Sequence, residues 1–112
     1  MPKKNPLNLN PLQLRTLTLL QELARHPELS TRLDSGEVLI TGVPTPHGNH
    51  FHIGTRVVAS RDATGLANPA VGAALARKGL IDGDFPTAFT LTEAGLAYDT
   101  GLRDAILHGS DH

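Results

Sequence analysis

The chain has no cysteine and no tryptophan, and only one tyrosine and three phenylalanines among 112 residues. The absence of cysteine removes disulfides, thiolate zinc sites and cysteine nucleophiles together. With aromatic residues at 4%, the core has to be assembled from leucine, isoleucine, valine and alanine. No apolar run approaches the roughly 18 residues of a membrane span. The opening Met-Pro-Lys-Lys-Asn-Pro is polar and no apolar segment follows it directly, so no signal peptide is expected and the cytoplasm is the default. Catalytic signatures are missing too: there is no Gly-x-Ser-x-Gly and no phosphate-binding loop, and the acidic residues are scattered. No enzymatic role is expected.

An excess of positive charge is also lacking. Ten basic and eleven acidic side chains give a formal net charge of −1, whereas a dedicated nucleic-acid binder usually shows a basic domain or stripe. What positive charge there is gathers in the first third, where Lys3, Lys4, Arg15, Arg25 and Arg32 stand against Glu22, Glu28 and Asp34. From Asp82 onward, Asp82, Asp84, Glu93, Asp99, Asp104 and Asp111 stand against Arg103 alone.

Length allows a single domain with its own core. Residues 1–9 read as a flexible arm and 10–108 as the folded unit. Asn10-Pro11, with Gln13 at capping-box spacing, opens a helix expected over 11–25, ahead of Pro27. Its leucines at 12, 17, 19, 20 and 23 spread wider than one core-facing stripe. Either the helix lies centrally in the monomer or one edge meets a second subunit. Residues 28–36 read as irregular, with one helical turn around 29–33. Residues 37–41 read as a β-branched strand, followed by the stiff Val43-Pro44-Thr45-Pro46.

His47-Gly48-Asn49-His50-Phe51-His52 then provides a tight turn and a strand expected to pair with 37–41. On it His50 and His52 share one face, with Phe51 and Ile53 on the other. His47, His50 and His52, joined by His26, His108 or His112, form a three-ligand set for a divalent metal, or a pH-responsive cluster. Residues 55–62 read either as a short helix capped by Thr55 or as a continued strand through Val57-Val58-Ala59.

Residues 65–98 carry the densest signals. Asn68 caps a helix with Pro69 at its first position, Val71 and Leu75 mark its inner face, and Gly79 sits where a left-handed residue ends it. Leu80-Ile81 begins a strand, Asp82-Gly83-Asp84 turns it, and Phe89-Thr90-Leu91 returns. Thr92 caps a last helix expected over 92–107, with Glu93 in its first turn.

Ala-Leu-Ala-Arg-Lys-Gly-Leu-Ile (74–81) and Phe-Thr-Leu-Thr-Glu-Ala-Gly-Leu-Ala-Tyr (89–98), with Gly65 and Val71, resemble the second half of a winged helix-turn-helix domain of the MarR type. The resemblance covers about a third of the chain. It implies an α+β fold, winged helix-turn-helix with an additional N-terminal-side β-hairpin, and a small DNA-binding or transcription-associated role. The partner would be double-stranded DNA: Asn68, Arg77 and Lys78 would line the groove, while Arg56 and Arg61 would hold phosphates. The alternative is a protein-interaction module on the same fold. Gly72, Ala73 and Ala76 would then form a close-approach face for a homodimer or another protein, unless they pack on the first helix of the same chain.

Overall fold

Asn10 opens the first helix with the reciprocal bonds its sequence promises. Its Oδ1 accepts from the Gln13 amide at 2.8 Å, and the Gln13 Oε1 accepts from the Asn10 amide at 3.0 Å. The computed structural model describes residues 5–41, 50–53, 56–85 and 87–109, with the side chains of Phe51, Arg56, His108 and Gly109 outside that description. The fold is α+β, and α1 runs Pro11–Leu23. Leu17, Leu19, Leu20 and Leu23 are all fully buried within this one chain. The width of the leucine face therefore reflects central burial, each side chain contributing about 1.5–3 kcal/mol. Thr16 and Thr18 are buried as well and stay satisfied by donating back to the carbonyls of Leu12 and Leu14. Ser30 closes the other end, its hydroxyl donating to the His26 carbonyl at 2.9 Å.

Two antiparallel sheets share the hydrophobic core of this helix. The larger comprises β1 (Ser30–Arg32), β2 (Val38–Ile40), β5 (Ile81–Asp84) and β6 (Ala88–Leu91), in the order β1-β2-β6-β5. Its register places Val38, Leu91 and Ile81 in one row and Ile40 opposite Phe89. All five are core residues, so alternate positions of three strands feed the same interior. The smaller sheet comprises β3 (His50–Ile53), β4 (Arg56–Ala59) and β7 (His108–Gly109), in the order β3-β4-β7. It contributes Ile53 and Val58 to the core.

Three expectations are corrected here, and one open alternative is decided. Residues 37–41 do not pair with 50–53: β2 lies between β1 and β6, while β3 folds back on β4. The helical turn expected around 29–33 is instead β1, joined to β2 through Gly36 at φ 92° with the Leu33 amide donating to the Glu37 carbonyl at 2.8 Å. Of the two readings of 55–62, the strand holds for Arg56–Ala59, and only Ser60–Asp62 turns helically, as a 3-10 segment. The last helix is two: α3 (Glu93–Ala97) and α4 (Arg103–Ile106). They are parted by an extended Tyr98 and by Gly101 at φ 71°. Asp99 accepts from the Gly101 amide at 3.0 Å, a local turn that competes with the helix ladder.

The arm is docked from Asn5 onward. Asn5 and Asn8 take the left-handed conformation, Asn5 exchanges side-chain bonds with the Leu9 backbone, and Leu9 is buried. Tyr98 fixes the arm by donating to the Asn5 Oδ1 at 2.6 Å and accepting from the Leu7 amide at 3.1 Å. Among the described residues, no helix is long and apolar enough to cross a membrane.

Candidate nucleic-acid interface

The helix that the sequence marks for recognition, α2, spans Pro69–Arg77. A 3-10 turn at Thr64–Ala67 leads into it, seated on α1 through Gly65, where any β-carbon would collide with the Thr16 hydroxyl. Asn68 caps the helix, its Oδ1 accepting from the Ala70 amide at 3.0 Å, and Pro69 fills the first position. Val71, Ala74 and Leu75 form the buried face. At the far end the Gly79 amide donates to the Ala76 carbonyl and the Leu80 amide to the Leu75 carbonyl, both at 3.0 Å. With Gly79 at φ 76°, this is a Schellman stop, and the buried Leu75 and Leu80 supply its hydrophobic contact. The chain leaves it directly into β5.

Of the residues expected to line a groove, Asn68 and the pair Arg77 and Lys78 lie at opposite ends of α2, about 14 Å apart at 1.5 Å per residue. The Asn68 side chain is already committed to the cap. Arg77 is exposed on the last turn. Lys78 is exposed too, but its Nζ donates to the Leu7 carbonyl at 2.7 Å, so the docked arm holds it. Arg61 is exposed on the Ser60–Asp62 turn, and Arg56 opens β4, its side chain outside the described residues.

Ala70, Ala73 and Ala76 are exposed along α2, so the outward face is short-chained. Gly72 does not belong to that face. It is buried under the Phe85 ring, which a β-carbon would strike. The hairpin after α2 is longer than its Asp-Gly-Asp suggests: β5 continues through Asp84, and the turn closes where the Thr87 amide donates to the Asp84 carbonyl at 2.8 Å. Asp82 and Asp84 are exposed on it.

The histidine expectation falls into parts. His47 and His112 lie outside the described residues. His50 and His52 do share a face of β3, with their Nε2 atoms 3.0 Å apart. His26 is elsewhere, with its Nε2 3.4 Å from Glu22 and its Nδ1 3.7 Å from Glu28. No group of three histidine or acidic side chains gathers in metal-binding fashion among the described residues.

Two features escaped sequence reasoning. Glu22 is a buried carboxylate on α1, met by the Nε of Arg103 at 3.2 Å and of Arg25 at 3.6 Å. These arginines border an open cleft of about 380 Å³ with Gln21, Tyr98, Asp99 and Thr100. The other feature is the clasp of Tyr98 and Lys78 on the arm. Only the burial of a Glu among leucines hinted at the first, and nothing local hinted at the second. Comparison of the chain with protein-family models, with curated proteins and with solved structures returns no match.

Proposed function

We propose that this chain is a small winged-helix-type protein that grips duplex DNA through its phosphates rather than by reading bases. The observation that carries the reading is the arrangement around α2. The helix buries one face on α1 and turns the other outward, and it runs straight into the β5–β6 hairpin, whose return strand pairs with β2. From Thr64 onward, a helical turn, a helix, a hairpin and a further helix follow in the order that the resemblance of residues 65–98 leads one to expect.

The exposed side chains set how such a surface would bind. Ala70, Ala73 and Ala76 are too short to make the bidentate contacts by which bases are told apart. Arg77 at the end of α2, Arg61, Arg56 and Lys78 supply phosphate contacts, which position a protein without specifying sequence. Asp82 and Asp84 oppose a phosphate approach along the hairpin, so contact falls on the C-terminal end of α2. Lys78 joins only after leaving the Leu7 carbonyl.

A second reading, a protein-docking module or homodimer, is favoured by one observation: the Ala70, Ala73 and Ala76 face costs little to desolvate and admits close approach of another backbone. A single substitution separates the two readings. Ala73→Arg adds a cation to the face, so in fluorescence anisotropy with a generic labelled duplex it tightens binding if DNA is the partner. If a protein or a second copy docks there, Ala73→Arg breaks the assembly in size-exclusion chromatography and DNA affinity is absent throughout.

A further inference from the structure

The cleft between α1 and the segment that joins α3 to α4 carries charges of both signs that its own side chains leave unmatched. On α1, Glu22 is buried, and its Oε1 meets the Nε of Arg103 at 3.2 Å and the Nε of Arg25 at 3.6 Å. One carboxylate against two guanidiniums leaves one positive charge over. A guanidinium has five N–H donors, so one held by its Nε keeps others for a second partner. Among the described residues, neither arginine has such a partner. The acids of the cleft are left over too. Asp99 and Asp104 line it beside the arginines, both exposed, and neither forms an ion pair among the described residues. Arg103 and Asp104 are adjacent in the chain, yet the arginine turns inward to Glu22.

The walls are tied together in advance. The Gln21 Nε2 donates to the Gly95 carbonyl at 2.8 Å and to the Tyr98 carbonyl at 2.7 Å, and the Thr18 hydroxyl to that of Thr100 at 2.6 Å. A preformed site loses little affinity to ordering its own side chains. The volume of about 380 Å³ is near the lower end of small-molecule sites, and Leu96 and Tyr98 supply apolar lining. A simple anion would gain the arginines and be repelled by the aspartates, and a simple amine would meet the reverse. We propose that this cleft binds a small zwitterion, an aliphatic α-amino acid. Its carboxylate would lie on Arg25 and Arg103, whose planar forks match a carboxylate. Its ammonium would face Asp99 and Asp104, and its side chain Leu96. Such a ligand would bridge α1 to the residues that follow α3, so its binding would stabilise the fold as well as fill the cleft. This site is independent of the DNA reading.

The test is titration of the full chain with L-leucine and L-alanine, read by amide ¹⁵N–¹H correlation spectra and paired with thermal melts. Two half-ligands serve as controls: isocaproate, which is leucine without its amine, and isoamylamine, which is leucine without its carboxylate. The expected result is saturable shifts at Gln21, Arg25 and residues 98–104, a raised melting temperature, and at least tenfold weaker binding of either half-ligand. Affinity also falls at least tenfold in Arg25→Gln, where Arg103 still covers Glu22, and in Asp104→Asn. Both positions are exposed, and circular dichroism checks that each variant is folded. No shifts in the folded wild type with either amino acid at millimolar concentration would overturn the proposal. Isocaproate binding as tightly as leucine would overturn it as well, by making the cleft a plain anion site. So would leucine binding that survives both substitutions undiminished.

Discussion

Replacing Gly95 with alanine should destabilise the protein, although a glycine in the middle of a helix is ordinarily improved by alanine. The residue lies at the centre of α3, where alanine gains about 1 kcal/mol from helix propensity. Against this, a β-carbon there would run into the Leu80 carbonyl oxygen, with the Leu91 Cδ1 at 2.8 Å and the Leu80 carbonyl carbon at 3.1 Å. The obstacle is backbone and cannot rotate away. The Leu80 carbonyl also accepts from the Thr92 amide and the Thr92 hydroxyl, both at 3.1 Å. Gly95 itself is clasped from the other side, its carbonyl accepting from the Gln21 Nε2 at 2.8 Å. Overpacking of this kind costs about 1–3 kcal/mol, and each strained hydrogen bond adds about 1 kcal/mol. The net loss is about 2–4 kcal/mol, or about 1–2 M in the urea midpoint at the slopes small domains show. Gly79→Ala is the control: nothing lies within 4 Å of its β-carbon, so only the left-handed φ of 76° is penalised, by about 1 kcal/mol. A Gly95→Ala protein as stable as wild type, or more so, would refute the seating of α3 against the Leu80 carbonyl and β6.

Gly72→Ala should be milder than Gly95→Ala, because the obstruction is the half-buried Phe85 ring, which can swing aside; a loss of about 1 kcal/mol in urea melts is expected. Asn10→Ala removes the side-chain half of the capping box on α1, leaving the residue-10 amide free to donate to Gln13, and should cost about 1 kcal/mol by the same assay. Glu22→Gln keeps the shape of the buried side chain but weakens its contact with the Arg103 Nε at 3.2 Å; about 1–3 kcal/mol should be lost, with midpoints checked in the Arg103→Ala background to isolate the pair. Tyr98→Phe deletes the hydroxyl that holds Asn5 and Leu7. It should speed amide exchange at Leu7 and Leu9 while leaving exchange in α1 unchanged.

The parts of this fold legible in the sequence are those governed by neighbouring residues. Asn10, Asn68 and Thr92 cap where they stand, and Gly79 stops α2, because each acts on backbone groups two or three positions away. Pairing between distant segments was not legible. Val38-Leu39-Ile40 is a strand by composition, but its neighbours are β1, from a polar stretch, and β6, some fifty residues on. Val57 and Val58 suit a helix or a strand equally, and only the fold-back onto His50–Ile53 decides between them. The apolar spacing of Tyr98, Leu102 and Ile106 imitates one helix, while Asp99-Thr100-Gly101 breaks it. For the candidate interface, the outward alanines of α2 followed from helical periodicity. The loss of Gly72 to Phe85 and of Lys78 to the arm did not, since both depend on residues brought in from outside the helix.

The most direct test of DNA binding is the salt dependence of its affinity for a generic duplex, read by fluorescence anisotropy. If Arg56, Arg61, Arg77 and Lys78 each neutralise a phosphate, log affinity should fall with log salt at a slope of about −3.6, so that moving from about 50 to 200 mM weakens binding about 150-fold. Arg77→Ala should weaken binding at every salt concentration and flatten that slope by about 0.9. Folded protein that shows no binding at the lower salt, or binding indifferent to salt and to Arg77, would contradict the account.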